Sequence, residues 1–287
     1  MYPKLFSLFG GKVTIYTYSV CIAVGLIFGA VIFRLLSKRL KMSDKAYDFY
    51  SFLSILTVVV GFISAYVFQD LYNVMAGKGS NIVNDTKNLF AGKGFKMSGG
   101  ITFMGGLIGG VVFFILVTFL YTIPRKNRSV RDEFPLVSDI ASVVILVAHG
   151  FGRIGCFFGG CCYGKVTDSP FGINYPVDGV WQVRYPTQLF EALFCFIAFA
   201  VFMLLILKTE KRGYMIALYA AVYSVFRFFI EFLRDDYRGG ANIGISPSQV
   251  QSLVLIVVAA AYILVKMLWW DPRKKLPAGQ SDKTEKK

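Results

Sequence analysis

"FPLVSDIASVVILVAHGFGRIG", residues 134–155, is an apolar run interrupted by an aspartate near its start and by a histidine and an arginine near its end. Its length matches the roughly 20 residues that an α-helix needs to cross the hydrocarbon core of a bilayer. Ionisable side chains at that depth are costly, so Asp139, His149 and Arg153 each need a partner. Reading this run as a membrane helix decides the fold, because similar runs occupy 14–36, 48–68, 101–122, 188–207, 213–233 and 248–269. The chain is 55% hydrophobic and only 17% charged, which sets it apart from an ordinary soluble domain. The expected fold is an all-α polytopic membrane protein of about seven transmembrane helices. The first run follows a short, weakly charged segment without a convincing cleavage site, and reads as a retained span rather than a signal peptide.

The net charge of +14 is distributed as a topology signal. "RLLSKRLKMSDK" (34–45), "PRKNRSVR" (124–131), "KTEKR" (208–212) and the tail from Lys266 hold nineteen of the lysines and arginines, whereas the amino terminus and the other three connections hold ten. Positive charge stays cytoplasmic, which places the amino terminus outside and the carboxyl terminus in the cytoplasm. The basic excess therefore points to the membrane surface and its anionic headgroups as partners, with no nucleic acid. Residues 1–270 read as a single transmembrane domain, and 271–287, "DPRKKLPAGQSDKTEKK", as a polar cytoplasmic tail expected to be disordered. The connections 69–100 and 156–187 are the longest and richest in glycine, and on this topology they are extracytoplasmic.

Arg153, Glu191, Arg227 and Glu231 fall towards the outer leaflet on the same topology. Two arginines and two carboxylates at one depth fit an anionic headgroup site, because guanidinium forks match phosphate oxygens. The simpler alternative pairs Arg227 with Glu231 along one helix and lets Arg153 snorkel to the interface. Gly105, Gly106, Gly109 and Gly110 contain small residues four apart, which is sufficient for close helix packing in lipid.

Several stretches together resemble the prolipoprotein diacylglyceryl transferase family: "GRIGCFFGGCCYG" (152–164), "ITFMGGLIGG" (101–110), "YPTQLFEA" (185–192) and "FRFFIEFLRDD" (226–236) occur in that family's order. The resemblance extends from about Tyr18 to Gln251. It implies a multi-pass protein of the bacterial cell (inner or plasma) membrane that transfers a diacylglyceryl group from phosphatidylglycerol, or a related anionic phospholipid. The implied acceptor is the lipobox cysteine in the signal peptide of a preprolipoprotein, and no metal or cofactor is implied. Position by position, Arg153, Arg227, Glu231 and Tyr18 correspond to functional residues, and Gly164 to the glycine that closes the arginine motif. Gly105 and Gly106 match the glycines of the third-span motif. Asp139, Gln188 and Glu191 match framework or headgroup-region positions, and Gln249 resembles the glutamine that opens the last span.

The chain departs from that pattern where the family has Phe-His-Gly-Gly, with Met104 in place of the histidine. Cys156 and Cys161 stand where the family has asparagine and glutamate. A methionine takes no proton, so the usual candidate base is missing. His149, one turn before Arg153, is a candidate replacement, the alternative being a histidine hydrogen-bonded inside the helix bundle.

Cys156, Cys161 and Cys162 admit three readings. They fill space or form a bridge; they bind a metal with His149, although Cys-x4-Cys-Cys is not a familiar zinc spacing; or one thiol carries a group in transit. Cys21 and Cys195 read as packing residues. These departures leave room for a divergent paralogue with another donor or acceptor. A non-catalytic transporter or receptor for an anionic ligand is a further alternative, although the inverted repeat such proteins often carry is not apparent.

Overall fold

The computed structural model describes residues 4–8, 13–91, 102–123, 128–235 and 245–270. The tail expected over 271–287, the first residue of the third expected span and the Met104 side chain lie outside what is described. Among the described residues there are seven helices long and apolar enough to cross a membrane, so the chain is a multi-pass membrane protein. They are α1 (Thr17–Arg39), α2 (Asp44–Met75), α4 (Phe103–Thr122), α6 (Phe134–Gly159), α7 (Thr187–Lys208), α8 (Met215–Ile230) with a 3₁₀ turn (Glu231–Leu233), and α9 (Pro247–Val265) with a π turn (Lys266–Trp270). Shorter helices α3 (Asn81–Phe90) and α5 (Arg128–Asp132) and two antiparallel hairpins complete them: β1 (Lys4–Leu8) with β2 (Val13–Tyr16), and β3 (Ile173–Val177) with β4 (Val180–Arg184).

The ends of the helices follow from local chemistry. Strand β2 runs to Tyr16 and holds the start of α1 back to Thr17. Ser43 caps α2 by accepting from the Ala46 amide. Ser246 and Gln249 form a capping box at α9, with Pro247 in the first turn. The fourth span runs one turn past the expected Gly155, so Cys156 belongs to the last turn of α6 and not to the loop. The second span also outruns its expected end at residue 68. Gln69 and Asp70 look like loop residues, yet the helix continues to Met75, with Gln69 Nε2 donating to Asn73 Oδ1 at 3.2 Å. Asp70 Oδ1 accepts from the Asn81 and Ile82 amides and so opens α3.

The chain forms two compact units, residues 1–40 with 135–287, and residues 41–134. In the second unit α4 lies closely on α2. A Cβ at Gly106 would come within 3.0 Å of the Gly61 carbonyl oxygen, and side chains at Gly105 and Gly109 would overlap Phe68 and Ser64. In lipid, where tails solvate apolar side chains as well as a neighbouring helix does, such close backbone approach is a main source of helix association. Tyr50 is fully buried in the same unit and donates to the Val130 carbonyl at 3.0 Å, which ties α5 to α2.

The first unit uses the same device. Gly25 and Gly29, four residues apart on α1, meet Phe151, Ala148 and Val144 of α6, and Gly155 meets Tyr18 and Cys21. Asp139, fully buried in α6, accepts from the Gly213 amide at 2.6 Å and the Met215 amide at 2.8 Å. It thereby supplies a carboxylate to the amino-terminal end of α8, which the helix dipole favours. Leu26, Ile27, Val31 and Leu35 on α1, and Leu193, Ile197, Val201 and Leu204 on α7, remain exposed as lipid-facing surface.

Candidate active site

The first unit gathers its ionisable residues where α6, α7 and α8 end or begin. His149 and Arg153, one turn apart on α6, reach Glu191 on α7. Arg153 Nη2 lies 2.9 Å and His149 Nε2 3.3 Å from Glu191 Oε1. The same oxygen accepts from the Tyr223 hydroxyl of α8 at 2.6 Å, and Arg153 Nε lies 3.2 Å from His149 Nε2. Nε2 cannot both accept from Arg153 and donate to Glu191. With Nε2 accepting from Arg153 Nε the neutral ring carries its proton on Nδ1, and with Nε2–H donating to Glu191 Oε1 the lone pair lies on Nδ1. His149 is held beside the ion pair in either tautomer, and only the one whose Nε2–H donates to Glu191 leaves Nδ1 able to accept a proton. Glu191 is fully buried and its second oxygen has no hydrogen-bond partner among the described residues.

A second pair lies one helix away. Arg227 Nη2 contacts Glu231 Oε2 at 2.8 Å along α8 and donates to Ser248 Oγ at 3.2 Å, while Glu231 Oε1 accepts from Ser246 Oγ at 2.9 Å. Arg234 Nε adds a third guanidinium 3.8 Å from Glu231. Arg227 is buried, and its Nη1 has no hydrogen-bond partner among the described residues. Arg227 is within electrostatic reach of Glu191, so the two pairs form one cluster. It contains the guanidinium groups of Arg153, Arg227 and Arg234 and the carboxylates of Glu191 and Glu231.

The loop after α6 closes over this end of the helices. Gly160 and Cys162 have positive φ, +67° and +63°, and turn the chain back on itself. Thr187 Oγ1 donates to the Cys162 carbonyl at 2.8 Å and Gln188 Nε2 to the Cys161 carbonyl at 2.6 Å; both side chains are fully buried. Gln188 also accepts from the Tyr175 hydroxyl at 3.1 Å, and burial pushes the Tyr175 phenol up to about 12 despite that bond. Gly164 donates to the Tyr185 carbonyl at 2.8 Å and accepts from Arg184 Nη1 at 3.1 Å. A Cβ there would strike Thr187 and Tyr185 at 2.9 Å and the Leu233 carbonyl besides, so this position requires glycine.

Tyr18 of α1 is within electrostatic reach of Arg153 and of all three loop thiols. Those thiols are free. Their sulfurs lie within 4.8 Å of one another. Hydrogen bonds with Cys156 and Cys161, aided by Arg234 and Arg153, lower the Cys162 thiol from its ordinary range.

Of the expected site residues, His149, Arg153, Glu191, Arg227, Glu231, Tyr18, Cys156, Gln188 and Gly164 all lie in the first unit around this cluster. Gly105 and Gly106 belong to the second unit and are described above by their packing alone. Gln249 is the capping-box residue of α9. Sequence reasoning missed Tyr223, although it stands four residues before Arg227 on one helical face. It also missed Ser246, Ser248 and Arg234, of which Ser246 carried a signal in its Ser-Pro-x-Gln cap.

Comparison with known proteins agrees with this geometry in extent. Residues 3–265 match the family described as prolipoprotein diacylglyceryl transferase. The chain is 35% identical over 264 residues to the phosphatidylglycerol–prolipoprotein diacylglyceryl transferase of Clostridium tetani, an alignment covering 90% of this chain and 95% of the relative. It is 32% identical over 255 residues to phosphatidylglycerol–prolipoprotein diacylglyceryl transferase 2 of Clostridium perfringens, covering 87% and 90%. The corresponding Clostridioides difficile protein is 32% identical over 231 residues, covering 80% and 82%. With nearly every span included in the match, the chain belongs to the prolipoprotein diacylglyceryl transferase family.

Proposed function

We propose that this protein transfers the diacylglyceryl group of phosphatidylglycerol to the lipobox cysteine of preprolipoprotein signal peptides, in the bacterial cell membrane. In this reading the amino terminus lies outside, the carboxyl terminus lies in the cytoplasm, and the Arg153–Arg227 cluster works at the outer leaflet. The observation that carries the reading is the buried Arg227, whose Nη1 has no hydrogen-bond partner among the described residues, in a cluster that also holds Arg153 and Arg234. A phosphodiester carries one negative charge, and its oxygens accept from guanidinium forks.

In the reaction the acceptor sulfur attacks the glyceryl carbon that bears the phosphate ester. The S–C bond forms, the C–O bond breaks, and glycerol phosphate leaves with the bonding pair. Arg227 and Arg153 stabilise the charge that grows on the departing phosphate, where fixed donors act most strongly in a dry site. Glu191 and Glu231 hold those two arginines in place. His149, beside Arg153, takes the thiol proton, and Tyr18 borders the thiol side of the cluster. Gln188 and Gly164 shape the loop, with Cys156 at its root on the substrate side. Gly105 and Gly106 let α4 pack closely on α2.

Complementation of a strain depleted of its own diacylglyceryl transferase tests the proposal. Wild-type protein should restore mature lipoproteins, and R153A and R227A at equal expression should not. Failure of the wild-type protein at good expression would favour a paralogue with another donor or acceptor, the reading to which the three loop thiols lend weight.

A further inference from the structure

The three thiols of the loop have a geometry that the proposed transfer does not use. Cys156 comes from the last turn of α6, and Cys161 and Cys162 from the loop that folds back over it, where the Cys161 amide donates to the Cys156 carbonyl at 3.2 Å. The positive φ at Gly160 and Cys162 makes that return possible. Two fully buried side chains of α7, Thr187 and Gln188, clamp the carbonyls of Cys162 and Cys161. The backbone of two of the three residues is therefore fixed from behind, as metal sites are when outer groups orient their ligands.

All three sulfurs lie within 4.8 Å of one another. With metal–thiolate bonds of about 2.3 Å, sulfurs sharing one ion are separated by about 3.8–4.0 Å, so small side-chain adjustments bring all three onto a common centre. A disulfide would use only two of them and would need a sulfur–sulfur distance near 2 Å. The linear spacing does not announce a zinc site, because the convergence comes from the turn at Gly160 and not from a Cys-x2–4-Cys pair. Among the described residues the metal-capable group contains these three cysteines and not His149, which sits on Arg153 and Glu191 instead.

We propose that Cys156, Cys161 and Cys162 form a three-thiolate site for a soft, thiophilic metal ion, Zn(II) or Cu(I), with one coordination position left to an external ligand. Three thiolates on Zn(II) carry one net negative charge, and on Cu(I) two. Arg153 and Arg234, both within electrostatic reach of Cys162, offset that charge. Soft thiolate ligands select these ions over magnesium, calcium or manganese.

The test uses the full-length protein in detergent, reduced and kept anaerobic. Cd(II) serves as the spectroscopic probe, through its ultraviolet thiolate charge-transfer band, and Zn(II) as the competitor. The proposal expects one Cd(II) per chain, displaced by Zn(II), with affinity falling at least ~100-fold in C161S and in C162S, since outer-shell changes alone cost 10–100-fold. C21S/C195S should bind as the wild type does. Differential alkylation of the wild-type protein, read by peptide mass spectrometry, requires no variant to fold: Zn(II) should protect Cys156, Cys161 and Cys162 and leave Cys21 unchanged. Absence of the charge-transfer band, a band that persists in C161S and C162S, or isolation of a disulfide within the loop from the reduced protein would overturn the proposal. None of these readouts depends on transferase activity.

Discussion

The Arg153–Glu191 pair is where burial and charge make the strongest quantitative demand. Glu191 is fully buried and Arg153 is 15% exposed, so water screens the pair little. Two unit charges about 4 Å apart interact by about 4 kcal/mol at an effective dielectric near 20. Replacing Glu191 by glutamine removes the charge but leaves a carbonyl oxygen for Arg153 Nη2 and the Tyr223 hydroxyl, so about 1 kcal/mol of neutral hydrogen bonding survives. The coupling between the two side chains should therefore be about 2–3 kcal/mol. A double-mutant cycle of E191Q, R153M and E191Q/R153M measures it, by equilibrium unfolding in mixed detergent micelles. Each single variant should be less stable than additivity with the double variant allows, because each leaves one buried charge without its partner. A coupling within about 0.5 kcal/mol of zero would refute the claim that the pair is buried and mutually dependent.

Other parts of the fold make further demands. D139N should destabilise the protein by about 1–2 kcal/mol in the same unfolding assay, because the α8 amino-terminal amides lose a charged acceptor. S246A removes the α9 cap and the Glu231 contact together, and should cost about 1 kcal/mol of stability while raising the dissociation constant for phosphatidylglycerol. G164A should fail to reach wild-type stability at all, read as loss of folded protein on size-exclusion chromatography, because its Cβ meets the Leu233 carbonyl and the Thr187 side chain. Tyr175 bears on alkaline stability: its folded value is raised from 10.0 to about 12, so the folded state keeps a proton that the unfolded state releases. That contribution is complete below pH 10 and disappears as pH rises towards 12, and Y175F should flatten the stability curve across this window.

Much of the architecture was legible because bilayer thickness imposes a length on each apolar run. All seven spans were found this way; caps or strands set some of their ends, as at Ser43, Ser246 and Tyr16, whereas α2 and α6 run on past theirs to Met75 and Gly159. The β3–β4 hairpin went unread although Asp178-Gly179, both with positive φ at +50° and +83°, is a strong two-residue turn signal. Glycine content alone had marked that stretch as a loop. At the site, the spacing of His149 and Arg153 and of Arg227 and Glu231 was legible, since residues four apart share a helical face. The partner of Arg153 was not, because Glu191 lies on another helix and only packing brings it within 2.9 Å. The same holds for Asp139, whose role as a cap for α8 spans more than seventy residues, and for the three thiols, whose convergence depends on one tight turn.

In the proposed reaction Arg153 and Arg227 grip the phosphate of the lipid donor while a cysteine thiol displaces it. The most direct measurement reconstitutes the purified protein in phosphatidylglycerol vesicles with a lipobox peptide, and quantifies thioether-linked peptide and released glycerol phosphate together. The wild-type protein should yield equal amounts of the two products, with rates lowered about 10²–10³-fold in R153A and in R227A. Wild-type rates in both variants, or thioether formed without glycerol phosphate, would contradict it.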